Sequence, residues 1–190
     1  MPLKKLKIKT KALPEILEID PTMTSTELIE KEVQEAFDLA TQMLDKVVAL
    51  FENITAQKTE AMVLFCWRDQ KSILDFFGDY KLNTKQVEKV ERRIKRVHRR
   101  VAKEKIKIQV ESKTIFNSKY ENSYALNFDF FLFRKSFRLL SKWFKYDKQV
   151  KANIIVKELF RDLFSDKKVE YYYGNKIKAN GGHGARRLAQ

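Results

Sequence analysis

The chain has 190 residues, 44% of them hydrophobic, enough to bury a core of ordinary domain size and to exclude wholesale disorder. Lys and Arg number 39 against 25 Asp and Glu, a net +14, which draws polyanions: nucleic acid, anionic headgroups or an acidic protein surface. A single cysteine, Cys66, excludes an internal disulfide and a cysteine metal cluster, and a two-histidine zinc site would have to join His98 to the distant His183.

Residues 1–22 are Lys-rich, with Pro2, Pro14 and Pro21, and read as a basic N-terminal tail, mobile or laid along the surface as an extended strand. One mostly helical domain, 23–190, is expected to follow. Thr24 and Glu27 fit a capping box. From there Leu28, Ile29, Val33, Ala36, Phe37, Ala40, Leu44, Val47, Val48 and Phe51 recur at helical spacing and predict one long amphipathic helix over 25–53. A second helix is expected over 57–77, stopped by Gly78, with Cys66 as a core thiol in the apolar run Ala61–Trp67.

Asn83 or Thr84 caps a third helix, whose Val87, Val90, Ile94, Val97 and Val101 form a narrow apolar seam. The period then changes: Ile106, Ile108 and Val110 alternate with Lys107 and Gln109, predicting a strand over 105–110. Tyr124, Leu126, Phe128 and Phe130 predict a second extended stretch over 124–133, beyond a turn-like 117–122. Phe137, Leu140, Trp143 and Phe144 suggest a helix over 134–146, and Ile154, Ile155, Leu159 and Leu163 another over 150–164. The expected fold is therefore α+β and predominantly helical, with a small antiparallel sheet of two or three strands. No run approaches the roughly 20 apolar residues of a transmembrane helix, and no secretory signal is visible, which favours a cytoplasmic protein.

The densest charge lies in residues 85–107, where eleven Lys or Arg face only three Glu. Lys85, Lys89, Arg92, Arg93, Arg96, Arg99 and Arg100 on one helix can track phosphates, with salt-sensitive affinity because each neutralised phosphate releases counterions. A solvated surface helix docked by its valine seam is the plainer reading. The aromatics of 116–146 could stack bases, but at strand and helix spacing they fit a core. Glu158 and Asp162, one turn apart, could ligate a metal or act as acid and base; with Lys157 and Arg161 beside them, ion pairing is the simpler account. Gly181-Gly182-His183-Gly184 follows no buried strand and reads as a mobile insertion rather than a phosphate loop.

Four segments of the C-terminal half carry a resemblance. They are Phe131-Leu132-Phe133-Arg134-Lys135-Ser136-Phe137, Ile154 to Arg161, Glu170-Tyr171-Tyr172-Tyr173-Gly174, and Ala185-Arg186-Arg187-Leu188-Ala189. In that order they resemble the strand, His-Glu-x-x-His helix, Asp-x-x-Tyr-Gly element and closing helix of the aspzincin (deuterolysin-like) zinc metallopeptidases. The likeness implies a mainly helical fold with a small sheet and could cover roughly 25–190. Lys157 and Arg161 stand at the two histidine positions and Glu170 at the aspartate, while Glu158, the family's general base, and Tyr173 are retained. Cationic side chains cannot ligate Zn²⁺. The resemblance thus implies a relative with no metal and no cofactor, its vacated site filled by a charge network of Lys157, Glu158, Arg161 and Glu170.

Two binding functions follow, with an enzymatic one beside them. One is a non-catalytic interaction protein on a metallopeptidase-like scaffold, possible as a bacterial effector or toxin-associated domain delivered by a secretion system without a cleavable signal, its partner a protein or acidic surface. The other is a sequence-independent nucleic-acid-binding protein using the basic helix 85–107. An enzyme using Glu158, Glu170, Tyr173 and His183 is a third. Composition leaves the oligomeric state open.

Overall fold

The fold is described from a computed structural model over residues 6–69, 83–103, 106–111, 125–126 and 136–164. The described residues fall in two compact units, one holding those up to 44 and from 97 onward and the other those between 45 and 96.

The first unit is built on a sheet. Strands β1 (Leu6–Thr10), β2 (Ile106–Glu111), β3 (Ala125–Leu126) and β4 (Ser136–Leu140) lie in the order β1-β2-β4-β3. β1 runs parallel to β2 with Ile8 beside Ile108, and β2 runs parallel to β4 with Ile108 beside Phe137. Only the two-residue β3 is antiparallel, against Leu139 and Arg138 of β4. The three principal strands are thus parallel where an antiparallel sheet was expected. Alternation of apolar and polar residues fixes which face a side chain occupies, but it is blind to strand direction. Parallel neighbours need long crossovers, and the helices between residues 10 and 106 supply one.

Ile106, Ile108, Val110, Phe137 and Leu139 are buried on one sheet face. They join Ala12 and Ile16 of α1 (Leu13–Ile19) and Ile29, Val33, Ala36, Phe37, Ala40 and Leu44 of α2 (Thr26–Thr55). Of the basic N-terminal segment, Leu6–Thr10 is extended, as one of the two expectations had it, but as strand β1 of the sheet, and Ala12 and Ile16 are core. The opposite sheet face carries Lys7, Lys9, Lys107 and Gln109, and there Arg138 donates to the buried Glu111 carboxylate at 2.7 Å.

β4 occupies the first part of the stretch read as a helix over 134–146. Phe137 and Leu139 point into the core with half-buried Arg138 between them, a period of two. Leu140 is buried as well, and the chain then turns through a 3-10 helix (Ser141–Lys145) whose Trp143 and Phe144 are core; apolar residues split across two elements imitate one helical face. Of the stretch expected extended over 124–133, Ala125 and Leu126 form β3 and residues 124 and 127–133 lie outside the described set.

The last described helix, α5 (Lys148–Phe164), is capped by Asp147, whose Oδ1 accepts from Val150 N–H at 2.9 Å. It buries Ile154, Ile155 and Leu159, as its periodicity predicts. α2 begins one residue later than expected, with Ser25 rather than Thr24 receiving the Leu28 N–H, at 3.3 Å.

In the second unit, the latter part of α2 buries Val48, Phe51 and Ile54, and α3 (Glu60–Asp69) buries Val63 and Trp67. Phe51 and Trp67 meet edge to face, ring centroids 5.6 Å apart. Cys66 is half-buried rather than a core thiol, because only Val63 and Trp67 of the apolar run turn inward. The expected end of this helix at 70–78 falls outside the described residues.

Candidate nucleic-acid interface

The basic segment folds as α4 (Thr84–Lys103), and its start is set by a reciprocal cap. Asn83 Oδ1 accepts from Gln86 N–H at 2.9 Å while Gln86 Oε1 accepts from Asn83 N–H at 3.0 Å. Each side chain satisfies a donor that the first helical turn would leave open. The valine seam then fixes the rotation of the helix: Val87, Val90, Ile94, Val97 and Val101 are all buried.

With 3.6 residues per turn, burying that seam turns a defined stripe outward. Lys85, Arg92, Arg96, Arg99 and Lys103 project within an arc of about 60° on the opposite side, along roughly 27 Å of helix. All five are exposed. Lys89 and Arg93 flank the stripe and are half-buried. Arg100 is not part of it: this residue is 6% exposed, on the shoulder of the helix that leads to the core. Of the sequence-derived contact set, the structure therefore groups Lys85, Arg92, Arg96 and Arg99, sets Lys89 and Arg93 at the margin, turns Arg100 inward and adds Lys103. A 100° projection from the valine seam carries the signal for the five exposed positions, but not for Arg100, which projects between Lys89 and Arg93 and is nonetheless buried.

Only two acids belong to this helix, Glu88 and Glu91. Glu91 faces inward, where it receives the Lys95 ammonium at 2.8 Å and the Thr55 hydroxyl at 3.0 Å. Lys95 also reaches Glu52 at 3.1 Å, and these two carboxylates hold its ammonium above the ordinary 10.5. Glu88 alone remains exposed, at the edge of the stripe. His98 is half-buried.

The second candidate constellation lies on α5. Glu158 is 1% exposed and Lys157 half-buried. Arg161 and Asp162 belong to the same helix, but their side chains, like Glu170, Tyr173 and the loop with His183, lie outside the described residues. Among the described residues, no group of three His, Cys, Asp or Glu side chains is placed to hold a metal ion, and no helix is long and apolar enough to cross a membrane. Of the aromatics weighed as a stacking platform, Phe137, Trp143 and Phe144 are each at most 3% exposed, and Tyr146 is half-buried against the same core. Comparison of the chain with protein-family models, curated proteins and solved structures finds no match, so the metallopeptidase likeness rests on the quoted residues alone.

Proposed function

We propose that this chain is a non-catalytic binding protein that holds nucleic acid through phosphate contacts along α4. The observation that carries this reading is the outward stripe of Lys85, Arg92, Arg96, Arg99 and Lys103, all exposed, with Glu88 at its edge. Cations held in a row on a helix anchored by its own apolar seam meet a regular polyanion without first having to be ordered. A lipid surface is a poorer match, because a membrane-lying helix offers apolar side chains beside its cations and α4 turns those into the core.

Fluorescence anisotropy with mixed-sequence nucleic acid tests the proposal. Five phosphate contacts predict an affinity that falls roughly 10²- to 10³-fold between 50 and 200 mM salt. Absence of binding at 50 mM salt would remove this function.

The metallopeptidase-like scaffold remains a second proposal, and the burial of Glu158 favours its non-catalytic form. A general base has to reach the water it activates, and a carboxylate 1% exposed is poorly placed to do so. Metal analysis of the purified protein tests this: stoichiometric zinc, with chelator-sensitive cleavage of a protein substrate, would overturn it.

A further inference from the structure

The stripe on α4 also bears on which form of nucleic acid fits, an inference that rests on the function just proposed. Proteins that grip single strands combine cations with exposed aromatic rings on which unpaired bases stack, worth about 1–3 kcal/mol per base. α4 contains no Phe, Tyr or Trp anywhere along its length. Of the described aromatics of the Phe-rich segment, Phe137, Trp143 and Phe144 are buried in the core of the first unit and Tyr146 is half-buried against it. Phe65 is 69% exposed, but it belongs to α3 and not to the basic helix.

We infer that α4 is a duplex-binding element, which engages the phosphate backbone of paired nucleic acid in preference to single strands. Three physical features point the same way. The cations are fixed in a row by the buried seam and the Asn83–Gln86 cap, so they suit a partner that is itself rigid. A duplex presents about one charge per 1.7 Å of axis, so a row of about 27 Å faces a dense field of phosphates whose spacing is already set. A flexible strand must be straightened to satisfy the same row, and α4 itself offers no ring on which its bases could stack to offset that ordering cost. The stripe is Lys and Arg with one Glu at its edge, side chains whose charge meets phosphates whatever the base sequence.

The test titrates the full chain with a 20-base-pair duplex of mixed sequence, as DNA and as RNA, with each DNA strand alone, and with phosphatidylserine vesicles. The expected result at 50 mM salt is affinity for at least one duplex tenfold or more above that for either strand, with a log–log salt slope of about −4 to −5. Arg92→Gln/Arg96→Gln/Arg99→Gln should lower duplex affinity at least 30-fold, and the Glu triple further. Lys31→Glu/Lys46→Glu/Lys145→Glu, which changes net charge as much as the Glu triple but off the helix, should cost less than fivefold. Circular dichroism and thermal melting show whether each variant is folded, and the neutral Gln triple keeps the test sound if the Glu triple is not.

Single strands bound as tightly as the duplexes through the same arginines would overturn the duplex inference and leave nucleic-acid binding standing. Loss of that single-strand affinity in Phe65→Ala would show that α3 supplies the missing ring, which also overturns it. No binding to any nucleic acid at 50 mM salt would sink both proposals. Equal losses in the control triple would reduce the effect to net charge, and vesicle binding that depends on Arg92, Arg96 and Arg99 without duplex binding would transfer the stripe to membranes.

Discussion

Lys151 Nζ donates to Glu32 Oε1 at 2.8 Å while standing 5.3 Å from the centroid of the Trp143 ring. One turn away along both helices, Lys148 meets Glu35, also at 2.8 Å. The pairs run in opposite senses along α2 and α5, so the helices are locally antiparallel where their charges meet. The Trp143 indole N–H closes the arrangement by donating to the Lys151 carbonyl at 3.3 Å.

The two members of the first pair differ in burial, with side-chain exposures of 7% for Lys151 and 24% for Glu32. Removing the acid strands an ammonium in the interior, whereas removing the base leaves a carboxylate that water can still reach. Glu32→Gln should therefore cost more than Lys151→Met, about 2–3 against 1–2 kcal/mol. The double variant should fall short of the sum of the two. Urea unfolding of the four proteins measures the cycle, and equal single costs would contradict this account of the pair.

Ile16 tests whether the N-terminal segment belongs to the core. It is fully buried on α1, so Ile16→Ala should cost about 2–5 kcal/mol in chemical denaturation. A change within about 0.5 kcal/mol, the usual effect of a surface substitution, would show that α1 adds nothing to the core.

Asn83 should matter to stability and binding together. Asn83→Ala removes the acceptor for Gln86 N–H and should cost about 0.5–2 kcal/mol, with fraying confined to the first turn of α4. Hydrogen exchange should show faster amides at residues 84–87 and unchanged ones near 97–101. Duplex affinity should fall by only a few-fold, because Arg92, Arg96 and Arg99 lie beyond the frayed turn.

The pH dependence of stability has two limbs. The Lys148 ammonium holds Glu35 below its ordinary 4.5; the backbone N–H of Glu27 and the Ser25 hydroxyl do the same for Glu27; the Thr22 hydroxyl holds Asp20 below 3.8. A carboxyl lowered by folding stabilises fully above its unfolded value, and that contribution is lost as pH falls through the folded value. Melting temperature should therefore drop below about pH 4. Lys148 is raised above 10.5 by Glu35, and Lys95 by Glu91 and Glu52. Their contribution is complete below the unfolded value and disappears as pH rises through the folded one. Glu35→Gln should flatten both limbs, since one pair contributes to each; thermal melts from pH 3 to 11 would show it.

Much of the helical framework was legible because long amphipathic helices declare themselves. The stripe Ile29, Val33, Ala36, Phe37, Ala40 and Leu44 and the seam of α4 each point one way over several turns, and both are buried as expected. Their caps were legible to within a residue, since Ser25 and Thr24 offer the same hydroxyl chemistry and only backbone geometry separates them.

The sheet was less legible. β1 hides among lysines, and its direction depends on a partner 100 positions away, with Leu6 beside Ile106. Nothing local encodes a pairing of that range. At the candidate site the composition of α4 was plain, but its list of contact residues needed the rotation of the helix. Arg99 and Arg100 are equivalent as letters, yet one is exposed and the other 6% exposed.

The same long-range pairing has a consequence for biosynthesis. On the ribosome β1 emerges well before β2, and at about 5–20 residues per second the 100 positions between Leu6 and Ile106 take roughly 5–20 s to translate. Through that interval the nascent strand has no edge to join, while its Lys7 and Lys9 discourage pairing with stray chains. The sheet can be completed only after α2, α3 and α4 have left the exit tunnel, so those helices are free to form before the strands pair.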